Sequence, residues 1–386
     1  MTAIVPTLPG DSVRAVLERR NPHRIVYAPN YWQWFAHQRN HGLLPREAAH
    51  CRDQLELIEY LGLDVLSRNI YCDEQLGWWG GLCDVDWDGV EFEEQQHADG
   101  FDRVINRIYR TRDGTLSERL RYIFRESTLV QEQFAVNDYA AQLDSLEALL
   151  AGRRWRFISS RLKEAQNRVG DRGIVMAGEL FSPLKMLHVL LGPTDTTYFL
   201  MDFPERASEL LALHEAAQLD LVRQMADAGV RVMVSMDNLD ALFHTPTYLE
   251  RYSASFYEQT SRICHEHGCL FLIHACGRQR NILRLIASLG VDGLEGVAFS
   301  PLGDVALDEA MQLTGDRFII TGGISALEFG RLRSREEVFM YLRNLLLRMR
   351  GYAHRFALSS SCNTPYDAPW ETICHFRDAW LEYGEL

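Results

Sequence analysis

The sequence lacks the features that define several large classes of protein. No stretch approaches the roughly 18 consecutive apolar residues of a membrane-spanning helix. The N-terminus, which carries Asp11, Arg14 and Glu18, does not have the basic and then apolar layout of a signal peptide. Acidic residues outnumber basic ones by 53 to 40, and the net charge of −13 disfavours polyanionic partners. These absences predict a cytoplasmic protein that binds neither nucleic acid nor a membrane.

Cysteine is also scarce for a chain of this length. Eight cysteines in 386 residues are too few for a disulfide scaffold, and a reducing compartment would keep them as thiols. Six of them are expected to be buried or unremarkable, because free cysteine commonly packs as a small hydrophobic residue. Cys276 and Cys362 differ from these six because each closely follows a predicted strand.

A glycine-rich phosphate-binding loop is missing after the first predicted strand, near residues 24–28, which argues against a dinucleotide-binding fold. From residue 173 onward, short apolar runs alternate with helical segments. This alternation predicts an α/β fold in which eight strand and helix units form a (β/α)₈ barrel. We expect a single domain over residues 1–386, with residues 1–24 and about 70–150 as N-terminal additions. The second addition should contain a β-hairpin that turns at Asp113-Gly114.

The clearest chemical pattern lies at residues 269–277, where an apolar run ends in His274, Ala275 and Cys276. Side chains two residues apart on a strand point the same way, so this imidazole and thiolate could hold one metal ion. Because the carboxyl ends of all the strands meet at the catalytic face of a barrel, Cys362 can supply a third ligand. Such a site leaves a fourth position for an acid, water or substrate, and its thiolates favour zinc.

Acidic residues near neighbouring strand ends are candidates for catalysis or binding. Asp237 follows the strand before His274, and Glu295 lies in the strand after it, so both are candidate catalytic residues. Glu295 is either the fourth zinc ligand or part of a salt bridge within the barrel. Glu179 follows an earlier strand and could orient a polar group of the substrate. Zinc held by two thiolates can keep an added thiol deprotonated, which suits alkyl transfer to sulfur better than hydrolysis.

An aromatic segment directly after the first predicted strand is a candidate substrate-binding site. Its members are Asn30, Tyr31, Trp32 and Trp34, to which Trp78 and Trp79 add two further rings. Rings at this density are suited to a flat, apolar substrate cleft. The alternatives are a packed lid or a contact between two copies in a homodimer.

Several segments of the chain resemble the uroporphyrinogen decarboxylase superfamily, and within it the zinc-dependent, corrinoid-linked methyltransferases. The segments that carry this resemblance are residues 225–237, 273–277, 290–295, 315–323 and 361–365, together with the hairpin residues 107–116. The resemblance implies a barrel with zinc at His274, Cys276 and Cys362. More loosely, a likeness to cobalamin-independent methionine synthase implies that Glu295 joins these ligands.

The same resemblance implies methyl transfer between a small substrate and a corrinoid (cobalamin) cofactor. The sequence contains no recognisable corrinoid-binding segment, so the corrinoid would come from a partner protein or free from solution. The aromatic segment suggests a flat substrate such as a methoxylated aromatic, and hence O-demethylation, and a thiol is the other possible substrate.

Two departures from the superfamily pattern bear on the alternatives. The arginine-rich N-terminal signature of true decarboxylases is replaced here by residues 30–35, and the closing motif lacks the usual glycine beside Cys362. The alternative enzyme is a metal-free tetrapyrrole decarboxylase in which Asp237 stabilises a protonated pyrrole. A non-catalytic relative that binds a corrinoid or a porphyrin is the third possibility.

Overall fold

Eight parallel strands form the centre of the protein in the computed structural model, which describes residues 10–68 and 81–386. The predicted (β/α)₈ barrel is therefore confirmed. In chain order the barrel strands are Val26–Tyr27, Val65–Ser67, Gly173–Val175 continued by Ala177–Leu180, Val232–Ser235, Leu270–His274, Gly293–Val297, Ile319–Ile324 and Phe356–Ser360. Trp78 and Trp79 lie outside the described residues.

The barrel closes because its first strand pairs with its last. Val26 is in register with Ala357, and the remaining strands follow one another in parallel order as far as the third. The second strand pairs with the third, and the Asp64 N–H donates to the Tyr27 carbonyl oxygen at 3.0 Å, which links the second strand to the first. The close pairing of the second and third strands requires a glycine at position 173, since a Cβ there would lie 1.8 Å from the Val65 oxygen.

Helices surround the barrel and bury its outer face. The α-helices are Asp11–Leu17, Trp32–Asn40, Gln54–Tyr60, Leu143–Gly152, Ser159–Val169, Pro183–Leu191, Pro193–Asp202, Pro204–Asp227, Pro246–Tyr252, Ala254–Glu266, Leu283–Ser288, Leu307–Thr314, Ala326–Arg331, Arg335–Met349 and Trp370–Tyr383. Short 3₁₀ helices span Arg46–Ala48, Phe124–Glu126, Gly170–Arg172 and Arg350–Arg355. Because both faces of the barrel strands are covered, their sequences are nearly continuous apolar runs. Within the described ranges, no helix is both long and apolar enough to cross a membrane.

The predicted hairpin belongs to a larger insertion between the second and third barrel strands. Its four antiparallel strands are Glu91–Asp99, Asp102–Thr111, Gly114–Ile123 and Thr128–Gln133, and the turn at Asp113-Gly114 joins the middle two. A separate antiparallel pair, Cys83–Trp87 with Arg153–Phe157, connects the insertion to the barrel. The last insertion strand begins at the mouth of the barrel, where Thr128 and Leu129 line a cavity.

Candidate metal centre

His274, Cys276 and Cys362 come together at the carboxyl end of the barrel. His274 is the last residue of the fifth strand, and Cys362 lies two residues beyond the eighth. One ligand atom from each of the three residues lies within 4.8 Å of the other two. The Cys362 Sγ atom is 3.7 Å from His274 Nε2. The structure therefore brings together the nitrogen and the two sulfurs that the sequence indicated.

Glu295 contacts the opposite side of the imidazole. It is the register partner of His274 on the sixth strand, and its Oε2 atom hydrogen-bonds with His274 Nδ1. The same oxygen lies 3.4 Å from Nε of Arg68, a buried residue that follows the second strand. The contact occupies Nδ1 and turns Nε2 toward the thiols, an arrangement typical of metal-binding histidines and their carboxylate partners. Glu295 is not among the three residues whose ligand atoms converge.

The charges at this centre shift its pKa values in opposite directions. Burial acts to lower the pKa of His274, but Glu295 and Cys362 outweigh it and raise that pKa to about 9. Burial acts to raise the pKa of Glu295, whereas Arg68 and His274 lower it to about 2. The Cys276 thiol donates to Cys362, which lowers the pKa of Cys362 and raises that of Cys276. These shifts favour ionisation of the Cys362 thiol over that of the Cys276 thiol.

Gly296 makes room for the imidazole. Its φ of +92° lies in the region that favours glycine, and a Cβ at this position would be 2.9 Å from His274 Cε1 and 2.5 Å from the Ser361 oxygen. Any larger residue would press on both the His274 ring and the loop that carries Cys362.

A cavity of about 250 Å³ opens beside this cluster, and His274 and Cys362 form part of its wall. Its walls come from the barrel loops, the insertion sheet and the aromatic segment, and are formed by Trp32, Arg68, Thr128, Leu129, Phe181, Lys185, Met236, Asn238, His274, Cys362 and Asn363. The size and the mixture of apolar and polar walls are those of a site for a small ligand.

The aromatic segment divides between the cavity and the core. Trp32 lines the cavity, and its indole N–H donates to Asn363 Oδ1 at 2.7 Å. Asn30 Nδ2 donates to the same oxygen at 2.8 Å. Tyr31 and Trp34 are buried beneath, where the Trp34 indole stacks on Trp370. The segment therefore holds the residue next to Cys362, while two of its rings belong to the core.

The other predicted acids are buried and hydrogen-bonded. Asp237 accepts from the Ser182 N–H at 2.9 Å, from the Ser235 hydroxyl at 3.1 Å and from the Tyr257 hydroxyl. Glu179 accepts from the Leu82 N–H at 2.9 Å, and burial raises its pKa to about 7. Neither carboxylate is part of the cavity wall described above.

Eight of the eleven residues that line the cavity were not predicted as site residues from the sequence, and three of these eight bear on the chemistry of the site. Arg68, Lys185 and Asn363 all line the cavity. Arg68 could have been noticed because it follows a barrel strand, and Asn363 because it follows Cys362. Lys185 lies within a helix, and its only signal was that the chain contains just one other lysine, Lys163.

The uroporphyrinogen decarboxylase (URO-D) family profile matches residues 131–383, more than half of the chain. The chain belongs to this family. A solved structure of a methyltransferase from Methanosarcina mazei matches with a TM-score of 0.55 and 12% identity, over 96% of this chain and 98% of that one. This match supports the barrel fold of this chain. A D-psicose 3-epimerase from Clostridium cellulolyticum H10 matches less well, with a TM-score of 0.36 and 9% identity, over 59% of this chain and 83% of that one. No curated protein sequence matched the chain.

Proposed function

We propose that this protein is a zinc-dependent methyltransferase that moves a methyl group between a small substrate and a corrinoid. The observation that carries the proposal is the convergence of one imidazole and two thiols beside a small cavity at the catalytic end of the barrel. The fold match to a methyltransferase is compatible with this function, and family membership alone does not choose between methyl transfer and decarboxylation.

The donor set fits zinc. His274 Nε2 and the sulfurs of Cys276 and Cys362 would hold the ion, and soft thiolates select zinc among the common divalent metals. Bound there, zinc would supply a Lewis acid that polarises the ether oxygen, or holds the thiol, at the reacting centre.

The surrounding residues would act by positioning. Glu295 would fix the tautomer and the orientation of His274, and Arg68 would hold Glu295 in its ionised form. We therefore propose Glu295 as the hydrogen-bonding partner of a ligand and keep direct ligation as the alternative for the experiment below. Asp237 would act indirectly, because it accepts a hydrogen bond from the backbone N–H of Ser182.

The substrate would enter the cavity while the corrinoid remains outside it. A volume of about 250 Å³ suits a molecule of the size of a methoxylated benzene ring and excludes a corrinoid macrocycle. The methyl group would have to pass at the mouth of the cavity, between the bound substrate and a corrinoid presented by a partner protein or free in solution. Trp32 and Phe181 would contact the substrate ring. Glu179, which the sequence suggested for this task, would bind it only after a rearrangement.

Decarboxylation through Asp237 has less support. Both oxygens of this carboxylate already accept hydrogen bonds, from the residues named above, and Asp237 does not line the cavity. A substrate pyrrole would have to displace these donors before it could bind the carboxylate.

Metal content and methyl transfer test the proposal together. Purified protein should contain close to one zinc per chain, and Cys276→Ser or Cys362→Ser should lose it, whereas Cys374→Ser should retain it. Cys374 is a suitable control because it is also partly exposed but lies in the last helix. With zinc bound, cob(I)alamin and a methoxylated aromatic should yield methylcobalamin, which is followed by its visible spectrum. Protein that binds no zinc, or that binds it equally well in all three variants, would refute the proposed centre.

A further inference from the structure

Lys185 is an unusual residue for this chain. Only two of the 40 basic residues are lysines, and every other cationic position is an arginine. Lys163 lies exposed on a helix, whereas Lys185 lines the cavity beside His274 and Cys362. An ammonium group is a compact, strongly hydrated charge on a flexible stem, and it differs from guanidinium in geometry and hydration. The cavity thus contains the rarer of the two cations.

The position of Lys185 is fixed by the loop that follows the third barrel strand. Ser182 caps the helix Pro183–Leu191 by accepting from the Lys185 N–H at 3.2 Å. Asp237 in turn accepts from the Ser182 N–H, so the fourth strand positions the start of this helix. The side chain of Lys185 is thereby directed into the cavity from the first turn of this helix.

The ammonium group has no anionic partner among residues 10–68 and 81–386. Neither a hydrogen bond nor an ion pair within 4.0 Å joins its nitrogen to any of them. Burial lowers the pKa of Lys185, and the charges of Asp237 and Cys276 offset only part of that effect. A cation that is partly buried in this way is stabilised when an anion pairs with it.

Zinc would not remove the need for such an anion. Two thiolates and a neutral imidazole cancel the charge of a divalent ion, so the loaded centre would carry no net charge for Lys185 to balance. The charge of Asp237 is already stabilised by three donors. A ligand in the cavity is the remaining source of negative charge.

We propose that Lys185 binds a carboxylate of the substrate, so that the cavity selects small methylated compounds that carry a carboxylate group. This substrate class rests on the methyl-transfer function proposed above. A carboxylate is chosen over a phenol because it is ionised at neutral pH and can pair with the ammonium before any reaction. Lys185 would then hold one end of the substrate while the methyl-bearing atom faces the zinc ligands.

The scarcity of lysine makes a direct test available. Reductive methylation of the zinc-loaded protein with ¹³C-formaldehyde labels only Lys163, Lys185 and the α-amino group, and Lys163→Arg and Lys185→Arg variants assign the signals. Titration with 4-methoxybenzoate should shift the Lys185 signal saturably and leave the Lys163 signal unchanged. The neutral analogue 4-methoxybenzamide should shift it much less. A Lys185 signal that does not move with the carboxylate, or that moves equally with both compounds, would overturn the proposal.

Calorimetry on unmodified, zinc-loaded protein measures the same preference without a label. Lys185→Met should bind 4-methoxybenzoate about tenfold more weakly or worse, since a hydrogen bond to a charged group contributes at least that much. Lys163→Met should bind as the original protein does, and neither variant should lose zinc. If Lys185→Met fails to fold, Lys185→Gln takes its place. Unchanged carboxylate affinity in a folded variant at position 185 would contradict the proposal.

These measurements need neither a corrinoid nor turnover, so they separate the two proposals. Carboxylate binding that depends on Lys185 in a protein that transfers no methyl group would support the binding site and refute the reaction. Methyl transfer without any preference for the carboxylate would support the reaction and refute the binding site.

Discussion

Replacing Glu295 with glutamine separates its two proposed roles at the zinc centre. Glutamine keeps the size of the side chain and an oxygen that can accept from His274 Nδ1, but it removes the negative charge. If Glu295 orients the imidazole, the three converging ligands remain and the site still takes up one metal ion. If Glu295 is itself a ligand, the site loses a donor.

The expected loss follows from the contacts of the carboxylate. One Glu295 oxygen contacts both His274 Nδ1 and Arg68 Nε in a buried setting, so the charge acts on the ligand at short range. Loss of such a carboxylate partner lowers metal affinity by about 10- to 100-fold, which corresponds to about 1.4 to 2.7 kcal/mol. The number of bound zinc ions should stay at one.

Competition with a chromophoric chelator gives the zinc affinity of Glu295→Gln, and elemental analysis gives the number of ions. Glu258→Gln is the matched control, because Glu258 is exposed on the surface helix Ala254–Glu266. An affinity within twofold of the original would refute a contribution of the carboxylate charge to zinc binding. A drop of several thousandfold with loss of stoichiometric zinc would instead make Glu295 a direct ligand.

Gly296→Ala should weaken zinc binding and lower the melting temperature, because a Cβ at φ +92° is strained by about 1–3 kcal/mol and presses on His274; calorimetry that shows no change would contradict this. Asn363→Ala should remove the amide oxygen that accepts from Asn30 and Trp32, and it should reduce zinc affinity more than thermal stability, which parallel chelator and melting measurements would detect. In the metal-free protein, the folded pKa of His274 lies above its ordinary value of 6.5, so its stabilisation is complete below pH 6.5 and is lost toward pH 9, by up to about 3 kcal/mol. The depressed pKa of Glu295 adds a second loss as the pH falls from 4.5 to about 2. Urea denaturation at a series of pH values should show the alkaline decline only without zinc, and a flat profile from pH 6.5 to 9 would contradict it.

The barrel could be predicted because each of its main strands is a local, continuous signal. Runs such as residues 270–274 are apolar on both faces, and turns or helix caps mark their ends. Local sequence patterns predict the structure less well where pairing with a distant segment of the chain determines it. Arg153–Phe157, for example, is a strand because it pairs with Cys83–Trp87, about 70 residues earlier in the chain.

The convergence of His274, Cys276 and Cys362 was predictable for the same reason, since each lies at the end of a strand or two residues beyond it. The residues around them were not, because their roles depend on contacts between distant parts of the chain. Arg68 reaches Glu295 across 227 residues of sequence. Lys185 enters the cavity from a helix, where no strand periodicity or strand-end rule points to it.

The aromatic segment and the loop of Cys362 meet in space. The aromatic segment carries Asn30 and Trp32, and both donate to Asn363, which follows Cys362. The backbone N–H of Thr364 donates to the Asn30 oxygen at 2.9 Å, so the contact includes the main chain as well. Hydrogen bonds from the aromatic segment therefore hold the conformation of this loop. A substitution in one of the two segments would leave donors or acceptors of the other without partners beside Cys362.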